Sequence, residues 1–406
     1  EFEFELYELD YGPVALSILD TVDSTLIETV SNVGEFFNFS SFTFVDGEEG
    51  TYIFLIKEVV GSLGGVTYDL TEYMVEVIIT DDGEGNLVAE VSYWMMGETE
   101  EWFDAEAVVF YNDYLAADVE VDLGGAKTLE GRDLIDGEFE FALYEFSESG
   151  NDALIETVSN VGPAFSFSPI TFIDGDDGYY YYLIKEVLNG LGGVTYDLSE
   201  YLVKVVITDD GEGQLEASVT YMLFDKMQKK WVTVNGANFN NDYEAADVDV
   251  DLEGTKNLVG RDLANGEFEF ELYFSDMNGI TGTLIEKVSN VGTNFSFSSL
   301  IFEDGDEGIY YYLIKEVDGS LGGVTYDLTE YLVKVIITDD GEGQLEAGVS
   351  YWTYSNGQKA WIQKQTVVFY NDYLPADVDV DLGGTKNLEG RDLADGEFEF
   401  NLYKSD

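Results

Sequence analysis

The sequence predicts an all-β protein, a set of tandem immunoglobulin-like β-sandwich domains in an elongated array. Three observations carry that expectation. A domain-sized segment recurs along the chain, apolar and acidic residues alternate at the period of a strand, and glycine-bearing turns punctuate the sequence roughly every 8 to 12 residues.

The repeat organises everything else. The phrase EFEF begins at Glu1, Glu138, Glu267 and Glu397, giving spacings of 137, 129 and 130 residues. Between those starts the same phrases follow in the same order: LIETVSNVG or LIEKVSNVG, LIKEV, GGVTYDL, ITDDGEG, and FYNDY or FNNDY before ADV. This spacing exceeds that of helical and solenoid repeats and suits a whole domain. Residues 1–115 are expected to form a first sandwich lacking its opening strand, 116–244 a second and 245–373 a third. Residues 374–406 then supply the first-strand segment of a following repeat. Either the chain is cut from a longer array, or the surplus segment of one copy completes the first repeat of the next. A start at Glu1 in place of Met fits processing or truncation.

Within a repeat the elements follow from local pattern. In Glu1 to Leu6, acidic and apolar residues alternate, placing Phe2 and Phe4 on one face of a half-buried strand. The run from Tyr179 to Ile184 is apolar on both faces and reads as a central strand. Val203 to Thr208 and Leu215 to Tyr221 flank DDGEG, whose Asp and Gly suit the turn of a hairpin, and the same turn recurs at Asp81 and Asp339. No helical stripe emerges. With only four Pro, the repeats are not joined by proline-rich linkers, so short connections are expected to keep the array stiff.

Composition bounds the function. Asp and Glu number 83 against 18 Lys and Arg, a formal charge of -65, yet aromatics reach 15%. Disordered acidic segments are poor in aromatics, so these residues argue for real cores. Such a surface repels phosphate backbones and anionic lipid, which excludes nucleic acid as a partner. No apolar run is long enough for membrane insertion. With no Cys there are no disulfides, and with no His the Ser-His, Cys-His and zinc-type sites are ruled out. An enzyme is therefore not expected, and no cofactor.

Fifteen Lys occur, and some recur at a fixed phase. Lys127, Lys256 and Lys386 open KTLEGRDL, KNLVGRDL and KNLEGRDL in the first strand of a repeat. Glu58, Glu186 and Glu316 end the LIKE of a middle strand. Asn112, Asn241 and Asn371 stand in the last strand, each before Asp-Tyr.

These phrases resemble the isopeptide-linkage domain of Gram-positive backbone pilins, the streptococcal T-antigen type. K-x-L-x-G-R-D-L-x-x-G-E-F-x-F-x-L-Y, I-K-E-V, G-V-T-Y-D-L-[ST]-E-Y, D-D-G-x-G and F-x-N-D-Y occur in the family's order in essentially every repeat. The resemblance implies that Lys127 bonds to Asn241 with Glu186 assisting, and Lys256 to Asn371 with Glu316 assisting. Asn112 and Glu58 would take a lysine from before residue 1 or from a neighbouring copy, and Lys386 an asparagine in the following unit. It further implies a structural subunit or stalk of an extracellular filament or pilus at a cell surface, with copies of itself head-to-tail as partners.

Physical chemistry gives the same residues a mechanism. Burial disfavours charge, so a Lys amine is kept neutral and nucleophilic and a Glu is kept protonated. A protonated Glu can polarise the Asn carbonyl and move a proton as ammonia leaves, a single-turnover reaction. The competing reading is a surface ion pair worth about 0–1 kcal/mol. Lys57, Lys185 and Lys315 fall on the opposite strand face from the adjacent Glu. Asn32, Asn160 and Asn290 of SNVG compete as amide donors, though their setting suits a turn. Arg132, Arg261 and Arg391 of GRDL are expected to pair with nearby carboxylates.

Two further features remain. Asp174-Gly-Asp-Asp-Gly, Asp304-Gly-Asp-Glu-Gly and Asp247-Val-Asp-Val-Asp offer oxygen ligands to calcium, or are simply solvated turns and strand edges; none fits a twelve-residue calcium loop, and no metal site is assigned. Trp94, Trp102, Trp231, Trp352 and Trp361, in the least repetitive stretches, would form an exposed surface for a glycan or host protein if the chain were a ligand-binding adhesin module without crosslinks.

Overall fold

The computed structural model describes residues 1–10, 24–97, 101–225 and 227–405. Among these there is no helix; the protein is all-β, and its strands build three tandem domains. They fall into two compact units, Glu1–Gly190 with Thr195–Tyr243, and Leu191–Val194 with everything from Glu244 onward.

In the first unit, repeat 2 contains a six-stranded antiparallel sheet ordered Ala153–Ser159, Glu140–Glu145, Gly178–Val187, Glu200–Asp209, Leu215–Asp225, Lys230–Val234. Glu140–Glu145 holds the alternation expected of the EFEF phrase, burying Phe141 and Leu143. Gly178–Val187 is central, as its composition demands, but Tyr179 and Tyr181 are exposed and only Tyr182 to Ile184 are buried in succession. The outer face there is exposed, and Lys204 Nζ sits 4.5 Å from the Tyr179 ring. The Asp209 hairpin closes through Gly211 and Gly213, at φ 72° and 95°.

The second sheet carries the opening strand Gly124–Glu130 between Ala164–Ser166 and the closing strand Ala237–Tyr243. Opening and closing strands run parallel, with Lys127 opposite Phe239 and Leu129 opposite Asn241. Because side chains alternate, the two-residue offset leaves Lys127 and Asn241 on the same face, aimed between the sheets. In the second unit, repeat 3 reproduces this: Glu253–Val259 lies parallel to Val368–Tyr373, with Lys256 opposite Phe369 and Leu258 opposite Asn371. Stacked rings fill the space beside these strands, Phe141 on Phe165 at 3.8 Å and Phe270 on Phe295 at 3.7 Å.

Repeat 1 has the six-stranded sheet, from Glu3–Leu9 to Trp102–Ala105, but among the described residues no opening strand. Its closing segment forms only Asp113–Tyr114, paired with Val66–Thr67. The Leu374–Ser405 segment forms no strand, and Val378, Val380 and Leu382 are 70–82% exposed.

Repeats 1 and 2 meet within the first unit through glycines. A Cβ on Gly213 would lie 2.3 Å from the Gly65 nitrogen, so only glycine permits the approach. The Tyr114 hydroxyl accepts from the Gly213 backbone N–H at 3.1 Å and donates to Asp209 Oδ1 at 2.7 Å.

Candidate functional site

Each site is assembled from three strands. The opening strand brings a Lys, the central strand of the facing sheet a Glu, and the closing strand an Asn. Lys127, Asn241, Lys256 and Asn371 are wholly out of solvent, and Glu186 and Glu316 are 8% and 6% exposed. A buried charged residue demands a partner. In repeat 3 the Lys256 amine donates to Glu316 Oε2 at 2.8 Å, and Asn371 Nδ2 donates to Oε1 at 2.6 Å. In repeat 2 Lys127 Nζ lies 3.1 Å from Glu186 Oε1, poorly aligned for a hydrogen bond, while Asn241 Nδ2 donates to that oxygen at 2.7 Å.

An aromatic ring seals each amine. Lys127 Nζ is 4.4 Å from the Phe139 ring centroid and Lys256 Nζ 4.7 Å from that of Phe268. Burial dominates the electrostatics and opposes charge on both partners. It pushes Lys127 and Lys256 below the usual lysine range and Glu186 and Glu316 above the usual carboxylate range, against the mutual attraction within each pair.

The amide faces the Glu through its nitrogen. The Asp197 backbone N–H donates to Asn241 Oδ1 at 2.7 Å, and that of Asp327 to Asn371 Oδ1 at 2.7 Å. A backbone N–H can only donate, so the amide oxygen must face it. The expected polarisation of the carbonyl by Glu is thus not the arrangement found: the carboxyl sits between the amine and the leaving nitrogen, and the carbonyl is held by the backbone. Asp197 is fixed in turn, its carboxylate accepting from the Ser199 and Asn240 N–H groups at 2.9 and 3.1 Å. Sequence reasoning marked the TYDL phrase by recurrence but gave this residue no role.

Repeat 1 carries a partial site. Asn112 Nδ2 donates to Glu58 Oε1 at 2.6 Å and the Asp69 N–H to Asn112 Oδ1 at 2.6 Å. Glu58 is 5% exposed, its Oε2 has no partner, and burial raises it above the usual carboxylate range. Lys386 is exposed and bonded to its neighbour's carbonyl.

The remaining candidates are placed elsewhere. Lys185 and Lys315 lie on the outer face, paired with Glu200 and Glu330 at 2.9 and 2.6 Å, and Lys57 rests on the Tyr7 ring. Asn160 holds a turn: it accepts from the Phe139 N–H at 2.9 Å and donates to the Ile135 carbonyl at 2.9 Å, and Asn290 does the same for Phe268 and Ala264. Arg132, Arg261 and Arg391 pair with Glu138, Glu267 and Glu397. Asp174 and Asp304 accept from the Ala116 and Ala245 N–H groups, and no acidic cluster arranged for a metal occurs among the described residues. The tryptophans do not form an exposed surface. All five are half-buried by cross-strand packing, Trp231 against Phe224 at 5.4 Å and Trp361 against Tyr354 at 5.5 Å.

The family profile described as FctA, Spy0128-like isopeptide containing domain, matches residues 1–115, 123–244 and 252–374. The chain belongs to this family. Among solved structures it is similar to the major pilin T3.2 of Streptococcus pyogenes, at 17% identity and a TM-score of 0.23, covering 63% of this chain and 98% of that one. It is similar to a streptococcal ancillary pilin at 12% identity and TM-score 0.17, covering 92% of each chain. It is also similar to the pilus adhesin SpaC of Lactobacillus rhamnosus GG, at 13% identity and TM-score 0.19, over 94% of this chain and 57% of that one. No protein of curated function matches the sequence. In this family setting the Lys–Glu–Asn clusters, and not the acidic turns, are the residues to account for. No described helix is long and apolar enough to cross a membrane.

Proposed function

We propose that the protein is a structural subunit or stalk of an extracellular surface filament, its second and third repeats each closed by a Lys–Asn amide. The observation that carries this reading is the pair of wholly buried Lys and Asn side chains meeting at one Glu carboxyl, built twice. The membership of a pilin-type isopeptide domain family supports the filament.

The geometry suits amide exchange. The neutral Lys127 amine attacks Asn241 Cγ, so a bond forms between Nζ and Cγ. Negative charge develops on Oδ1, where the Asp197 N–H already points, as an oxyanion requires. Glu186 receives a proton from Nζ and delivers one to Nδ2; the Cγ–Nδ2 bond breaks and ammonia leaves. Exclusion of water keeps the amine neutral and denies hydrolysis a nucleophile. The enzyme-like parts act once, on their own chain.

The mechanical consequence follows from placement. Opening and closing strands enter and leave each domain, so a pull along the chain passes through the amide and bypasses the sheets. Single-molecule stretching tests this. Repeats 2 and 3 should show no unfolding step, and Glu186→Ala should restore one of about 400 Å, the extended length of the roughly 115 residues released. A full-length step for each repeat in the unaltered protein would refute the reading.

A further inference from the structure

The short strand beside the closing strand of repeat 3 ends early. Val324–Thr325 pairs with Tyr373 and Asp372, and the chain then leaves the ladder, so the closing-strand groups beyond must find other partners. Asp327 supplies one. Its Oδ2 accepts the Tyr370 N–H at 2.9 Å, where a backbone carbonyl would otherwise stand, and its Oδ1 accepts the Thr329 N–H at 3.0 Å and the Thr329 hydroxyl at 2.5 Å. The Asp327 N–H is thereby left for a side chain, and donates to Asn371 Oδ1 at 2.7 Å.

The arrangement is built three times. Asp197 accepts from the Ser199 and Asn240 N–H groups and donates its own to Asn241 Oδ1; Asp69 accepts from Thr71 and Tyr111 at 2.8 and 2.7 Å and donates to Asn112 Oδ1 at 2.6 Å. In each repeat the gripped N–H belongs to the residue immediately before the Asn. The carboxylate thus ties the donor N–H and the backbone of its acceptor into one ring of hydrogen bonds. The Asp-Leu-Ser or Asp-Leu-Thr spacing is the one at which an Asp side chain closes on the N–H two residues later.

Charge does not explain an Asp at this position. Burial lowers Lys256, and the Asp327 charge works the other way, favouring the ammonium over the neutral amine that must attack. The same charge opposes the negative charge that develops on Asn371 Oδ1. What the carboxylate offers against this is two acceptor oxygens on one short arm, where an Asn side chain has one.

We propose that Asp197 and Asp327 are positioning residues for amide formation: each carboxylate holds its own backbone N–H on the Asn side-chain oxygen, so the donor is in place when that oxygen becomes negative. The proposal rests on the Lys–Asn chemistry above. Each carboxylate acts through that peptide N–H and not on the reacting atoms. Without it, the turn loses its hold on the closing strand and the N–H is no longer fixed on the oxygen. Misplacing an oxyanion donor slows such a reaction by about 10²-fold.

The test follows link formation in the full chain, recovered unfolded from inclusion bodies and refolded by dilution. Mass spectrometry of digests reads the branched Lys256–Asn371 peptide, with the Lys127–Asn241 peptide as a reference in the same molecule. Hydrogen exchange at Val333 and Val335 gives the folded fraction of repeat 3, so each rate is expressed per folded molecule. Asp327→Asn and Asp327→Ala should slow the Lys256–Asn371 link by about 10–100-fold and leave the other unchanged, and Asp197→Asn should do the reverse. Val333→Ala opens a cavity at a wholly buried position of repeat 3; it should lower stability yet keep the rate per folded molecule. Equal slowing by Val333→Ala would show that the rate reports only stability, and would overturn the positioning role. An unchanged rate in Asp327→Asn would also overturn it while leaving the Lys–Asn chemistry standing, as would a faster rate, which would make the Asp charge the governing feature. Absence of both links in the unaltered chain would overturn the Lys–Asn chemistry and the positioning role together.

Discussion

The Lys256 amine lies 2.8 Å from a Glu316 carboxyl oxygen with both side chains fully removed from water, in a protein whose surface is overwhelmingly acidic. A surface lysine here would have dozens of carboxylates to choose from. One enclosed by Phe268 and a single Glu is set apart, and burial acts to strip the charge from both.

Removing the assisting carboxyl separates the covalent contribution from packing. Glu316→Ala should leave Lys256 and Asn371 unjoined in repeat 3. Freeing a loop of about 115 residues costs roughly 4–5 kcal/mol on the chain-entropy treatment of crosslinks. The cavity and the now unpaired lysine add to it. Denaturant unfolding should show repeat 3 melting well before repeat 2, and simultaneous melting would argue against the crosslink.

The reaction should have an unusual pH profile. The reactive state, a neutral amine beside a protonated carboxyl, holds the same single proton as the ion pair. Its population is therefore independent of pH as long as the pair keeps one proton. Acid adds a second proton and makes the amine an ammonium; alkali removes the last one and leaves Glu186 no proton to deliver. Ammonia loss after refolding, followed by mass spectrometry, should show a plateau falling on both sides. A steady rise with pH, as for a solvated lysine, would contradict the buried pair.

Asn160 provides a control on the choice of asparagine. It is 1% exposed and spends both amide groups on the backbone. Asn160→Ala should destabilise repeat 2 by about 2–3 kcal/mol through unpaired buried backbone groups, yet leave its ammonia loss intact. Loss of that mass change would move the crosslink to Asn160.

The contact between repeats 1 and 2 depends on Gly213. An alanine there would meet the Gly65 backbone and would also hold an unfavourable φ of 95°. Gly213→Ala should raise hydrogen exchange at the Leu115 and Ala117 amides, which donate to the Gly65 and Gly213 carbonyls on the two sides of this contact, without altering the Lys127 site. Unchanged protection would show that the contact tolerates a side chain.

Much of this was legible in the sequence because period-two alternation and exact recurrence are strong signals. They gave the all-β class, the EFEF strand, the DDGEG hairpin and the three residue types at one phase. Alternation also placed Lys185 outward and Glu186 inward. Other features were not legible, for identifiable reasons. The role of the Asp197 amide is a backbone property, invisible in residue identity. The facing of the Asn241 amide depends on a loop that arrives from the TYDL phrase. Tyr179 and Tyr181 read as core because aromatics usually are, but their face of the sheet is exposed. The tryptophans read as surface because they vary, yet cross-strand neighbours half-bury them.

The central claim is that two amides exist where the sequence encodes two lysines and two asparagines. Intact mass of the purified chain tests it most directly, with fragmentation to locate the branch points. Two internal bonds predict a mass two ammonia molecules below that of the sequence, with Lys127 bonded to Asn241 and Lys256 to Asn371. The full sequence mass, with those four side chains recovered unmodified, would contradict it.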